Sequence, residues 1–172
     1  NSADGASALG TNAYGAGMDA SITTGLGVDG LTIGVGYAEI EVLDGKTTSS
    51  VYKSDIDEMV AYFKYAAGPA TFGYFQSYES TGLRAAASVD AYETNGFGIS
   101  FAVNENMSIS YGEREVDFGD SGGKTDETDT GFAVSYTMGS MSLTANHNEA
   151  ADYKGTAASE KETTEIALSF AF

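Results

Sequence analysis

Glu165-Ile166-Ala167-Leu168-Ser169-Phe170-Ala171-Phe172 closes the sequence, and its reading decides the fold. Ile166, Leu168, Phe170 and Phe172 alternate with Glu165, Ala167, Ser169 and Ala171. Side chains of a β-strand point to opposite faces in turn, so strict period-2 alternation predicts a strand with one apolar face and one small or polar face. That apolar face runs to the last residue. A frayed terminus gains nothing from an exposed Phe172, so an apolar receiver is expected along the whole strand, and lipid is the simplest one.

Eight further segments upstream carry the same pattern. Tyr14 to Thr24 sets Tyr14, Ala16, Met18, Ala20 and Ile22 against Gly15, Gly17, Asp19 and Ser21. Leu31, Ile33, Val35 and Tyr37 oppose Thr32, Gly34, Gly36 and Ala38, and Met59, Ala61, Phe63 and Tyr65 oppose Val60, Tyr62 and Lys64. A less regular segment sets Ala70, Phe72 and Tyr74 against Thr71, Gly73 and Phe75. Phe97, Ile99, Phe101 and Val103 then alternate with Gly96, Gly98, Ser100 and Ala102. Met107, Ile109 and Tyr111 oppose Ser108, Ser110, Gly112 and Arg114. Phe132, Val134, Tyr136 and Met138 oppose Gly131, Ala133, Ser135 and Thr137, and Met141, Leu143 and Ala145 oppose Ser142, Thr144, Asn146 and Asn148. Segments of about 10 residues suit a tilted membrane-crossing strand better than the 5–6 residues common in soluble sheets.

The connections alternate in length. Val28-Asp29-Gly30, Gly68-Pro69, Asn104-Glu105-Asn106 and Gly139-Ser140 are short and built from turn residues. Residues 43–56, 79–89, 119–128 and 151–163 are long and polar, as solvated loops are. Short turns at one end and long polar loops at the other predict an all-β, antiparallel, up-and-down transmembrane barrel. Tyr37, Tyr65, Tyr111 and Tyr136 lie near the ends of apolar faces, where a lipid-facing aromatic girdle would stand.

Composition is compatible with this reading. The chain has 172 residues, 22 Gly, one Pro and no Cys, which disfavours helices and removes disulfide and thiolate chemistry. Its formal charge of −17 makes nucleic acid a poor partner. No apolar run approaches the roughly 20 residues of a membrane helix. The faces opposite the apolar ones are mostly Gly, Ala, Ser and Thr. Such residues cannot fill a barrel of about eight strands, so a wide, wet interior is expected.

Nine hairpin-linked strands leave the first and last parallel to each other, so they cannot close antiparallel. The expectation is a single barrel segment over residues 1–172, with 1–11 as starting loop. It would be the C-terminal part of a larger barrel of about 16 strands, as in porins.

The terminal strand and the hairpin pattern resemble the C-terminal portion of a Gram-negative, proteobacterial outer-membrane general-diffusion porin, of the alphaproteobacterial type. The family's assembly signal is a polar residue, a Gly two places on, then two aromatics ending at the C-terminus. Glu165, Phe170 and Phe172 fit it, while Ala167 stands where Gly is usual. The resemblance implies a water-filled channel for passive diffusion of small hydrophilic solutes and ions. It also implies a homotrimer, set among outer-membrane lipid and lipopolysaccharide and assembled by barrel-assembly machinery that reads the C-terminal strand. No enzyme activity and no cofactor are implied. The family's inward acidic constriction loop belongs to its N-terminal half and is not expected here.

On alternation, Lys64, Arg114 and Asp19 point inward, which makes them the candidate channel-lining charges. His147, the one histidine, sits beside Asn146 and Asn148 near a rim, where an ordinary interfacial role is expected. The stretch Asp117 to Asp129 carries Asp120, Asp126, Glu127 and Asp129, oxygen ligands that Ca²⁺ uses, but without the EF-hand order; a solvated acidic loop is the simpler reading. Gly15-Ala16-Gly17 lacks the third glycine of a dinucleotide fingerprint. No carboxylate pair suggests acid–base catalysis. The rival reading is a secreted or cell-surface β-sandwich binding or adhesion module, whose apolar faces would pack on each other.

Overall fold

The computed structural model describes residues 14–42, 54–82, 89–119 and 123–171. Nine strands form one antiparallel sheet in strict sequence order. They are β1 (Tyr14–Thr24), β2 (Leu31–Val42), β3 (Ile56–Ala67), β4 (Ala70–Ser80), β5 (Ala91–Asn104), β6 (Met107–Asp117), β7 (Glu127–Met138), β8 (Met141–Ala151) and β9 (Lys161–Phe170). A single 3-10 turn, Tyr153–Gly155, lies between β8 and β9. The expected start loop at 1–11, Asp120 and Phe172 lie outside the described residues.

All nine alternating segments are strands. The short connections are turns, and two of them show why their residues were chosen. Gly68 and Gly139 have φ of +57° and +61°, a conformation that two-residue hairpins need and that glycine adopts without a Cβ penalty. β5, β7 and β9 begin earlier than alternation of apolar residues indicated, at Ala91, Glu127 and Lys161. The backbone ladder continues there between polar residues, for example Glu93 with Asp117 and Asn148 with Thr163. Hydrogen bonding between strands does not require apolar side chains.

The registers bring the apolar positions of neighbouring strands side by side. Ile22 pairs with Val35, Ile33 with Phe63, Phe63 with Tyr74, and Phe72 with Ile99. Ile99 pairs with Tyr111, Tyr111 with Phe132, Tyr136 with Leu143, and Leu143 with Leu168. A one-residue slip at any pair would send one strand's apolar set to the other face. The result is one continuous apolar band across the sheet.

That band is uncovered. Among the described residues, Phe118 is the only buried hydrophobic one, and no side chain is fully buried. Ile166 is 71 % exposed and Phe170 55 %. Soluble folds bury such a face against a second layer, yet the nine described strands make one sheet with no second sheet upon it. The two packed sheets of a β-sandwich are not formed among the described residues.

Candidate functional site: the polar face

At the long-loop end the apolar face turns acidic, with Glu39, Asp57, Glu93, Glu113, Glu149 and Glu162 on it by register. Tyrosines mark the change. Tyr37 Oη lies 2.7 Å from Glu39 Oε2 and 2.8 Å from Asp57 Oδ1, and Tyr111 Oη donates to Glu113 Oε2 at 3.2 Å. Each ring stays in the apolar band while its hydroxyl reaches the carboxylates, the arrangement that suits an amphipathic ring at a boundary. Tyr65 pairs with Leu31 and Phe72, and Tyr136 with Met107 and Leu143, so the girdle candidates all share the apolar face. His147 is on this face too, bonded through Nδ1 to Thr164 Oγ1 at 2.8 Å and through Nε2 to Glu149 Oε1 at 3.0 Å.

The opposite face carries the chemistry. One row of paired positions runs through every strand: Thr23, Gly34, Tyr62, Phe75, Gly96, Arg114, Asp129, Ala150 and Lys161. The next row runs Thr32, Lys64, Gly73, Gly98, Gly112, Gly131, Asn148 and Thr163. Gly73, Gly98, Gly112 and Gly131 thus stand side by side across β4 to β7, giving a wall that is bare backbone.

Larger side chains lie across glycines. The Tyr62 ring occupies the space above Gly34, and its hydroxyl lies 3.3 Å from Thr23 Oγ1. The Phe75 ring covers Gly96, where an added Cβ would come within 2.7 Å of Phe75 Cε1. Asn148 covers Gly131, with Oδ1 2.7 Å from where a Cβ would be. These side chains lie along the sheet because their glycine neighbours leave room.

Asp19, Lys64 and Arg114 all stand on this polar face, but the structure does not gather them into one site. Asp19 shares a row with Ala38, Glu58 and Glu79, where Glu58 and Glu79 are directly opposite each other. These acids line a hollow of about 340 Å³ with Ser21 and Ser77. Lys64 sits between Thr32 and Gly73. Arg114 is paired: its Nε donates to Asp129 Oδ2 at 2.8 Å, Nη2 donates to the same oxygen, and Glu127 Oε1 is 4.0 Å from Nη2. Glu127 is buried and also accepts the backbone N–H of Lys154 at 2.8 Å, which ties the β8–β9 loop to β7.

A cavity of about 590 Å³ opens between Phe75, Arg114 and Asp129 on one side and Asn148, Lys161 and Thr163 on the other, with Gly112 and Gly131 in its floor. Asp129, Asn148 and Lys161 were not singled out as an inward group by sequence reasoning. Alternation places each on the polar face, but only the register places them together.

Of the Asp117–Asp129 acids, Glu127 and Asp129 face Arg114, and among the described residues no group of three or more His, Cys, Asp or Glu could hold a metal ion. Glu165, the polar member of the proposed assembly signal, stands opposite Asn146 on the polar face, and Phe170 opposite Met141 on the apolar one. No helix among the described residues is long and apolar enough to cross a membrane, which says nothing about crossing by strands. The chain matches no protein-family profile and no curated protein sequence.

Proposed function

We propose that this chain is part of the wall of an outer-membrane β-barrel porin, a water-filled channel for passive diffusion of small hydrophilic solutes and ions. One observation carries the reading: nine consecutive strands turn most of their apolar residues to the same uncovered face. A continuous apolar band one strand-length high, bounded by tyrosines, is what hydrocarbon receives and water does not. Strands suit that setting only when every backbone group is paired, which the ladders supply except at the β1 and β9 edges. On this reading the sheet closes with further strands, the apolar band faces lipid, and the polar face lines water.

The solute path is then a wall of backbone and small side chains, and size sets the first limit on what passes. Fixed charges set the second. The acidic row at Asp19, Glu58 and Glu79 attracts cations, Lys64 opposes this, and the charge of Arg114 is offset by Asp129 and Glu127. Trimerisation, lipopolysaccharide contact and recognition by assembly machinery through Glu165, Phe170 and Phe172 belong to the same proposal.

Planar-bilayer recording on the full-length protein tests it. Stepwise conductance increments, with protein recovered from membranes only in detergent, are expected. Recovery as a detergent-free soluble protein that never conducts would overturn the reading in favour of a soluble or surface-bound module.

A further inference from the structure

The cavity between Phe75 and Lys161 has a composition that size exclusion does not require. A wall built only to pass solutes needs small, hydrated side chains. Here an aromatic ring reaches over Gly96, on the same row as the Arg114–Asp129 pair. Phe75 and Arg114 are two strands apart, about 10 Å along the row from strand spacing, with only Gly96 between them. Asn148 and Thr163 stand one row away, over the floor of Gly112 and Gly131.

We infer that this cavity is a weak binding subsite for a neutral polyhydroxylated solute, a sugar of one or two rings. The inference deepens the pore reading and rests on it for its role in transport.

Charge decides the class of solute. Arg114 and Lys161 bring two positive charges to the lining and Asp129 one negative, while Glu127, which does not line the cavity, lies 4.0 Å from Arg114. Glu113 and Glu149 also border the cavity, but by register their side chains belong to the opposite face of the sheet. Arg114 is already neutralised by carboxylates. The polar-face groups here therefore carry no net charge to hold an ion of either sign, while they keep many oriented donors and acceptors. Arg114 keeps N–H groups beyond the two given to Asp129, and a carboxylate accepts more than one bond. Asn148 Nδ2 donates to Asn146 Oδ1 at 3.1 Å, which sets the amide's orientation. Hydroxyl groups both donate and accept, so a sugar satisfies such a mixed set. The Phe75 ring offers a flat apolar surface to the C–H face of a pyranose. The volume suits a small-molecule site.

Two measurements on the full-length protein separate this inference from the pore reading. The first is equilibrium binding of maltose to detergent-solubilised protein by calorimetry or saturation-transfer NMR, with gluconate as the anionic comparison. The second is salt conductance in a planar bilayer. Maltose is expected to bind saturably and more tightly than gluconate, and Phe75→Ala is expected to weaken it about tenfold. Asn148→Ala, on a different strand, is expected to weaken binding as well, which keeps the test open should the Phe75 variant fold poorly.

Conductance without saturable maltose binding would overturn the subsite and leave the pore standing. Maltose binding without conductance would uphold the subsite and overturn the pore. Gluconate binding tighter than maltose, or maltose binding indifferent to both substitutions, would overturn the inference.

Discussion

Arg114 on β6 and Asp129 on β7 stand directly opposite each other, and the guanidinium gives both Nε and Nη2 to one carboxylate oxygen of Asp129. The same guanidinium lies 4.0 Å from Glu127, so the one arginine described in the strands is held by two acids. Its side chain is half exposed, so the pair contributes little to stability, about 0.5 kcal/mol on the scale of exposed ion pairs.

On the pore reading, the pair matters more for ions than for folding. Arg114→Ala removes a positive charge from the polar face and releases two negative ones. Reversal potentials in a salt gradient should shift toward cation selectivity. Asp129→Asn should shift them the opposite way. Equal potentials in both variants would mean that this row does not face the conducting water.

The two faces should tolerate opposite changes. Ile99 lies in the middle of the apolar band, 46 % exposed, and if that band faces lipid, Ile99→Arg should cost about 2–4 kcal/mol and cripple assembly. Gly98→Ser, on the polar face, should assemble normally, because its Cβ would meet the Tyr111 carbonyl oxygen at an ordinary 3.8 Å. On the barrel reading, heat-modifiable gel mobility of the full-length protein reads both. Equal behaviour would undo the in-and-out assignment.

Glycines of the polar face should differ sharply among themselves. A Cβ on Gly96 would fall 2.7 Å from Phe75 Cε1 and 2.8 Å from the Glu113 carbonyl oxygen. The ring can swing away but the backbone cannot, so Gly96→Ala should cost about 1–3 kcal/mol and displace Phe75. Gly73→Ala meets only the Phe63 carbonyl oxygen at 3.5 Å and should be close to neutral. Thermal unfolding of the two variants side by side checks the contrast.

Among the described residues, Phe118 is where the loops have a small core of their own. Its ring meets Tyr92 edge-on at 5.6 Å, Lys124 Nζ sits 5.3 Å from its centroid, and Gly155 packs against it. Phe118→Ala should open residues 123–126 and 152–160 to protease and leave the strands paired. The cost should fall below the 3–5 kcal/mol typical of a fully enclosed phenylalanine, at roughly 1–2 kcal/mol. Loss of the whole sheet in this variant would show that the loop cluster supports the strands.

Much of the fold was legible because a strand's side-chain period is local. Phe97, Ile99, Phe101 and Val103 declare their shared face without reference to any other strand. The short turns went further, since a two-residue turn such as Gly68-Pro69 leaves little choice but to pair Ala67 with Ala70 and to carry that register along both strands. Strand ends were less legible. Lys161 to Thr164 and Ala91 to Asn95 are paired ladder residues whose side chains follow no apolar alternation.

What the sequence by itself determined is which face each residue of a strand occupies, and which strands form tight hairpins. Tertiary structure alone decided the registers across the long connections, because a connection of nine or ten residues does not dictate how far one strand slides along the next. Arg114 meets Asp129 across such a connection, and so does Phe75 meet Gly96. Alignment of the apolar residues of neighbouring strands into one band goes with those registers, and with them comes the cavity that no single segment of the sequence contains.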